Sequence, residues 1–598
     1  MPSADPPPVG VMENLALKLK SIGLEVIPRF PGAFPATSPV DIYRAHIADK
    51  VGHITGVKPT IVHDAIQWTQ TLDKGDCLLP IPALRIRGKM LDEVARSIES
   101  QFSSIFLQAR RTHPTRPAFN SGTRSRYGHN PSHGLHHPSD SSSGRKKIIM
   151  EFGSPNIAKP FHAGHLRSTI IGGFLANLYE HSGWEVPRMN YLGDWGKQYG
   201  VLAVGFNQFG SAEALERDPV GHLFDVYVNA RAEERQVTEL EAEAATIQAV
   251  SVDERARQYF KLMCEGDNEA LGLWKKFRDL SIIKYKATFA RLNIHVDEYA
   301  GESQIKKSSM EEAAQILEEK GLSEASQGAV LVDLTQYSKK LGKAIVRKRG
   351  GTSIYLTRDI GAVFERYDKY HYDKMIYVIV AQQDLHMAQL FKLIEVMGRK
   401  DLADKLQHIN FGMVAGMSTR KGTVMKTNET KYQQIEDPEK TADTLAISAI
   451  LVQDMTGKRI NGYTFDMDRM TSFEGDTGPY LQYAHARVCS IVRKTGVDPS
   501  KLGHADFTLL TEKHAIDLVR MLAQWPDVFQ NTYKTQEPVT VLTYLFKMTH
   551  ALSSSYDHLN ILKSEPNLKN ARLALYSSAR HVIHNGMALL GLSPLERM

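Results

Sequence analysis

Pro160-Phe161-His162-Ala163-Gly164-His165 sets two imidazoles three residues apart, at the point where an apolar run gives way to a helical pattern. At a helix N-terminus both rings would face one point, beside unpaired backbone N–H groups and the positive end of the helix dipole. That arrangement hydrogen-bonds phosphate oxygens. Gly164 lets a nucleotide approach the backbone. Taken alone, the two histidines fit a metal pair or chance spacing as well. Far along the chain, Gly416-Met417-Ser418-Thr419-Arg420-Lys421-Gly422 forms a basic, glycine-bounded loop after an apolar run. Such a loop can close over a triphosphate and stabilise charge moving onto departing pyrophosphate. Alone, such a loop is more often a solvated turn.

The elements that must carry these groups are legible. Lys147 to Phe152 reads as a short strand, and Leu166, Ile170, Phe174 and Leu178 recur every four residues as a helix. Glu185 to Leu192 follows as an extended stretch, completing a βαβ unit. Residues from about 206 to 305 are charged and helical in pattern, an insertion with a solvated face. Further strands are expected at Ala329 to Leu334, Ser353 to Leu356, Lys374 to Val380 and His408 to Val414, with a helix over Ile360 to Tyr370. From about Thr444 the pattern is helical, with Ala515, Leu518, Val519 and Leu522 on one face and Leu575, Ala579, Val582 and Ile583 on another. Glu13 to Gln101 reads as a small α/β or α+β domain, and 103–147 as a basic low-complexity linker. His133, His136 and His137 in that linker lack the partners of a metal site.

The 598 residues suffice for several domains. Net charge is +6, but 103–147 holds eight of the 73 basic residues against one of the 67 acidic ones, so that segment carries +7 and the rest −1. Overall basicity therefore says little about a polyanion partner. Three widely spaced cysteines give neither a disulfide framework nor a CxxC zinc site. No apolar run approaches the roughly 20 residues a membrane helix needs. The start of the chain fits neither a secretory signal nor a basic transit peptide.

Taken together these segments resemble the class I aminoacyl-tRNA synthetases, with their HxGH element and KMSKS loop. Ser154 to His165, Asn190-Tyr191-Leu192-Gly193-Asp194-Trp195-Gly196, Tyr355-Leu356-Thr357-Arg358-Asp359, Gln382-Gln383-Asp384-Leu385-His386 and Glu474 to His485 narrow the likeness to arginyl-tRNA synthetases of the eukaryotic cytoplasmic type. It covers nearly everything from Lys147 to Met598. The resemblance implies an α/β chain: a Rossmann-like parallel-sheet catalytic domain with insertions (148–443), a small N-terminal domain (1–102) for the tRNA elbow, the linker (103–147) and an all-α anticodon-binding bundle (444–598). It implies ATP with Mg2+ as a substrate complex, no prosthetic group and no bound metal. L-arginine and tRNA(Arg) are the expected partners of a monomer acting away from membranes. The cytoplasm is the expected compartment, a mitochondrial form remaining open.

By the same resemblance, Lys159, His162, His165 and Lys421 are catalytic, Lys159 standing in for a lysine absent from the degenerate loop. His162, Gly164, His165, Met417, Ser418 and Lys421 bind ATP. Glu151, Asn156, His165, Tyr355, Asp359 and Gln383 bind arginine, with Asp359 on the guanidinium; as a plain sequence feature Asp359 reads instead as a helix N-cap before Ile360. Tyr480, Tyr483 and Arg487, at i, i+3 and i+7, and the terminal Met598 meet tRNA, the tyrosines stacking on unpaired bases. Gly153 stands where the resemblance calls for Ser. Two other readings stay open: a tRNA-binding relative without catalysis, to which the direct run of Val424 into Met425 points, and another HxGH nucleotidyltransferase, which the Glu474 to His485 signature disfavours.

Overall fold

The computed structural model describes residues 27–28, 38–69, 75–86, 90–101, 145–243, 251–347, 355–415, 437–498, 502 and 505–598. The loop residues Met417, Ser418 and Lys421, the Val424 junction and the histidines of 103–144 lie outside them.

A five-stranded, wholly parallel sheet is built from β1 (Ile148–Glu151), β2 (Arg188–Leu192), β3 (Glu298–Gly301), β4 (Lys374–Val380) and β5 (Leu406–Phe411), in the spatial order β5-β4-β1-β2-β3. The chain leaves β1 toward β2 on one side and β4 toward β5 on the other. The crevice at the carboxyl ends of β1 and β4 is thus the switch point where open α/β sheets bind ligands. β1 is buried along its length, as expected for the centre of a parallel sheet.

Helix α1 (Ala163–His181) follows β1, and Ile170, Ile171, Phe174, Leu175 and Leu178 are all buried against the sheet. Gly172 permits that approach, because a Cβ there would lie 2.3 Å from Phe152 Cβ. Helices α2 (Asn268–Arg291), α3 (Tyr355–Tyr370) and α4 (Asp384–Val396) frame the crevice. α2 ends a helical insertion with its own core around Phe277, Tyr285 and Phe289, which packs on Ile157 and Leu192.

Three expectations are corrected. The charged insertion does not run unbroken to 305, since Glu298–Gly301 returns to the sheet as β3, paired with β2. Ala329–Asp333 is a strand, but it joins Ser323–Ser326 and Lys343–Arg347 in a separate antiparallel sheet. The strand expected at Ser353 to Leu356 ends instead in α3, where Leu356, Ile360 and Val363 are buried at helical spacing.

The C-terminal part is helical: α5 (Pro438–Met455), α6 (Gly478–Lys494) and further helices at Lys513–Ala523, Trp525–Thr535, Pro538–Ser555 and Pro566–Leu589. Ala515, Leu518, Leu522, Leu575, Ala579 and Ile583 are buried in one core with the α1 face of the sheet. Near the N-terminus, helices Pro39–Thr55, Pro59–Ala65 and Leu91–Gln101 accompany a two-strand pair. Arg44 Nη1 and Trp68 Nε1 donate to Asp527, at 2.9 and 2.6 Å, which docks this segment on the C-terminal helices. Among the described residues no helix is long and apolar enough to cross a membrane.

Candidate active site

The end of β1 is fixed by bonds to both neighbours. Gly153 N–H donates to Ser168 Oγ at 2.8 Å, the Ser168 hydroxyl donates to Val378 O of β4 at 2.7 Å, and Asn190 Nδ2 of β2 donates to Phe152 O at 2.9 Å. Gly153 sits at φ +82, and a Cβ there would meet Asn190 Nδ2 at 2.7 Å. Glycine in place of Ser thus relieves a left-handed, crowded position.

His162 is the N-cap of α1 and His165 its third residue, so the two imidazoles stack with centroids 3.6 Å apart. Gly164 N–H donates to His162 Nδ1 at 3.1 Å, and His162 N–H points at His165 Nδ1 at 3.4 Å. Both Nδ1 atoms therefore accept, and this network assigns the proton of each neutral ring to Nε2, the donor left for a phosphate oxygen. Burial, the neighbouring His162 and the Lys159 ammonium hold the His165 pKa down to about 3, and burial with Lys159 lowers that of His162. At neutral pH both rings are uncharged donors beside a lysine. The positive end of α1 adds to the field.

The other end of the crevice is acidic. Asp359 lies in the second turn of α3 rather than at an N-cap, which removes the capping reading. Its Oδ2 is 2.7 Å from His386 Nε2 of α4. Glu302, just after β3, feels the charges of Asp359 and Asp194; burial first, and then these, outweigh Arg358 and push its pKa up to about 8. Its backbone carbonyl accepts from Arg358 Nη1 at 2.8 Å. Asp194, fully buried, secures the neighbouring Ser303 by accepting from its N–H and hydroxyl, both at 2.8 Å, and from Arg278 Nε at 2.7 Å. Glu302 did not stand out in the sequence. A lone glutamate carries no local signal, and only the sheet brings it to residue 359.

Glu151 Oε2 is 2.7 Å from Arg366 Nη1, and both side chains are buried. The Arg366 guanidinium lies over the Tyr191 ring at 4.5 Å. Glu151 is thus engaged by an internal guanidinium beside the pocket. The buried hydroxyls of Tyr191 and Ser154 lack a hydrogen-bond partner among the described residues. Buried polar groups in that condition call for an explanation, and a ligand that bonds them is one.

The structure brings together Lys159, His162, Gly164, His165 and Asn156 around the start of α1, and Asp359, Glu302 and Tyr191 across the crevice mouth. Asn156 bridges Gly193 in parallel register. Gln383 caps α4 and is exposed. Tyr355 opens α3, and its side chain lies outside the described residues. On α6, Tyr483 is 46% exposed, Tyr480 is half-buried with its ring against His550, and Arg487 stacks on Tyr556 at 4.0 Å. The tail before Met598 is strapped to α6: Leu595 N–H donates to Gln482 Oε1 at 2.8 Å, and Leu595 O lies 2.8 Å from His485 Nδ1.

Residues 133–467 match the family model described as tRNA synthetases class I (R), catalytic domain, and 481–598 match the DALR anticodon binding domain. The chain is 50% identical to the arginine-tRNA ligase, cytoplasmic, of Saccharomyces cerevisiae, over 98% of this chain and 99% of that one. The chain belongs to the arginine-tRNA ligase family. Within that family it is also 43% identical to the mitochondrial enzyme of the same yeast, over 94% of this chain and 89% of the other. Two solved arginyl-tRNA synthetases share the fold: that of Plasmodium falciparum, TM-score 0.70 at 22% identity over 92% and 98% of the two chains, and that of Thermus thermophilus, TM-score 0.71 at 19% identity over 93% and 100%. The R-type family model spans the crevice between α1 and α3. The DALR match spans most of α6 and the helices that follow.

Proposed function

We propose that this chain activates L-arginine with ATP and transfers the arginyl group to the 3′ end of tRNA(Arg). The observation that carries the reading is the pairing of a carboxylate pocket, Asp359 with Glu302, with a neutral His162 and His165 pair at the positive end of α1, all at the switch point of one sheet. ATP enters with Mg2+ as its substrate complex. An oxygen of the arginine carboxylate attacks the α-phosphorus, the bond to the β-phosphate oxygen breaks, and pyrophosphate leaves. A ribose hydroxyl of the tRNA then attacks the acyl carbon and AMP departs.

The chain supplies charge stabilisation. His162 and His165 donate Nε2–H to phosphate oxygens without adding net charge, while Lys159, joined by Met417, Ser418 and Lys421, meets the charge growing on pyrophosphate. Asp359 receives the guanidinium through paired charge-assisted bonds that a lysine ammonium cannot reproduce. Asn156 and His165 take the α-amino and carboxylate end, Tyr355 and Gln383 are further substrate-binding positions, and Glu151, close by, holds Arg366. The N-terminal segment to 102 meets the tRNA elbow, the 103–147 stretch is a linker, the catalytic domain spans 148–443, and 444–598 reads the anticodon with Tyr483 as its exposed ring, near Tyr480, Arg487 and Met598. The enzyme works as a monomer in the cytoplasm. The test is pyrophosphate exchange with tRNA present. Exchange with arginine and none with lysine is expected, and equal exchange with both would overturn the pocket assignment.

One consequence concerns pH. Because the Glu302 pKa lies at about 8, this carboxyl is protonated at pH 7. An incoming guanidinium favours its ionised form, so binding releases a proton, and arginine binds more tightly as pH rises, levelling off above about 8. The arginine KM should fall by up to about tenfold per unit between pH 6 and 8. Glu302→Gln should flatten that slope, and an unchanged slope in the variant would show that another group titrates.

A further inference from the structure

We propose that Tyr285 and Ser281, on the inserted helix α2, are positioning residues that hold Lys159 at the nucleotide, an inference that rests on the phosphate-side role assigned to Lys159 above. The loop 156–159 starts on a bridge to Gly193, and past that bridge the backbone at Asn156, Ala158 and Lys159 is held by one face of α2. Tyr285 and Ser281 are one helical turn apart and so share that face. The Tyr285 hydroxyl has a single proton and two acceptors, Asn156 O at 2.7 Å and Lys159 O at 3.0 Å. Between those carbonyls, Ala158 N–H donates to Ser281 Oγ at 3.2 Å. Ser281 in turn donates to Phe277 O at 2.8 Å, which fixes its rotamer.

These bonds stabilise a conformation the loop does not favour. Ala158 sits at φ +60, a left-handed backbone in a residue with a Cβ, which persists only where the surroundings over-determine it. Tyr285 and Ser281 are themselves buried at 1% and 0% exposure. Burial raises the Tyr285 phenol well above its usual value, so the group stays a donor across the working pH range. The loop sets Lys159 close enough to the two rings that its charge adds to burial in lowering the pKa of both His162 and His165. Without the α2 bonds, Ala158 can relax to a right-handed backbone and carry Lys159 away from α1. Neither Tyr285 nor Ser281 has a direct role at the reacting atoms in this account.

A double-mutant cycle in pyrophosphate exchange, with arginine, ATP, Mg2+ and tRNA, tests it. Tyr285→Phe keeps the ring and removes the hydroxyl. It should lower kcat about tenfold, leave the arginine KM within about twofold, and leave hydrogen-exchange protection of β1 and α2 unchanged. Ser281→Ala should act in the same direction and less strongly. In a Lys159→Ala background, Tyr285→Phe should have almost no further effect. An equal loss in both backgrounds would make Tyr285 a structural residue and overturn the proposal. So would unchanged kcat in Tyr285→Phe and Ser281→Ala while Lys159→Ala is impaired. Full exchange by Lys159→Ala is a separate failure: it would remove the role of Lys159 and the positioning claim with it.

Discussion

Asp359→Ala should lower kcat/KM for arginine by about 10²-fold to 10³-fold, with the ATP KM changed little. The size follows from what a guanidinium loses when its carboxylate is removed from a desolvated site, roughly 3 to 5 kcal/mol, and each 1.4 kcal/mol is about tenfold. The lower part of that range is expected, because the Asp359 side chain keeps 25% exposure and has His386 as a partner. Asp359→Asn retains the shape, loses the charge and should fall nearly as far. Both variants keep α3 intact, since residue 359 is inside the helix and caps nothing. Saturation with arginine in pyrophosphate exchange checks the result, and a loss under tenfold would show that the guanidinium is anchored elsewhere.

The second large effect is on stability. Arg366→Met leaves the Glu151 carboxylate buried without its cation, and should destabilise the catalytic part by about 3 to 5 kcal/mol. Burial pushes the Glu151 pKa up and Arg366 opposes it, so removing the guanidinium drives Glu151 toward its protonated form. A protonated Glu151 softens the loss, and the sign with pH follows. In the variant the folded state takes up a proton that the unfolded chain, with an ordinary carboxylate, does not hold at neutral pH. The deficit relative to the parent should therefore shrink as pH falls toward the usual carboxylate range. Glu151→Leu combined with Arg366→Met should recover much of the stability, because an apolar pair replaces a buried ion pair at little cost. Unfolding of a chain with several cores is not two-state, so hydrogen exchange at β1 and α3 is the suitable readout. Unchanged protection in Arg366→Met would contradict the account.

Some of this architecture was legible from residue order alone. The β1-α1-β2 unit could be read because its strand, its histidines and the four-residue recurrence from Leu166 to Leu178 are local in sequence. The α3 start was misread. Ile354-Tyr355-Leu356 has strand-like composition, whereas the burial of Leu356, Ile360 and Val363 along one helix face settles the element. The Ala329 strand was legible as a strand but not as part of a separate sheet, since pairing partners are not written in a short apolar run. Of the site, the histidine pair and Asp359 were visible as motif residues. Glu302, Tyr285 and Ser281 were not, because their importance comes from tertiary contacts: Glu302 meets a helix that starts 53 residues later, and Tyr285 bonds a loop 126 to 129 residues earlier. A faint signal existed in the four-residue spacing of Phe277, Ser281, Tyr285 and Phe289, a buried stripe where the serine hydroxyl needs a backbone partner.

The neutral state of the histidines and the acidity of the opposite pocket have one physical origin. The carboxyl ends of β1 and β4 leave a crevice whose α1 side presents N–H groups and Lys159, and whose α3 side presents the Asp359 carboxyl and the Glu302 carboxyl that ionises as a cation arrives. An amino acid with a cationic side chain and an anionic head group fits across that field in one orientation, with its carboxylate toward the phosphates. In the proposed reading, specificity and activation follow from the same arrangement.

The most direct measurement is transfer of radiolabelled arginine to total tRNA by the recombinant full-length chain with ATP and Mg2+, run beside the other nineteen amino acids. The account predicts saturable charging with arginine alone, lost in Asp359→Ala while tRNA binding is retained. Binding of tRNA without charging by any amino acid, in a chain that is folded and receives ATP, would contradict it.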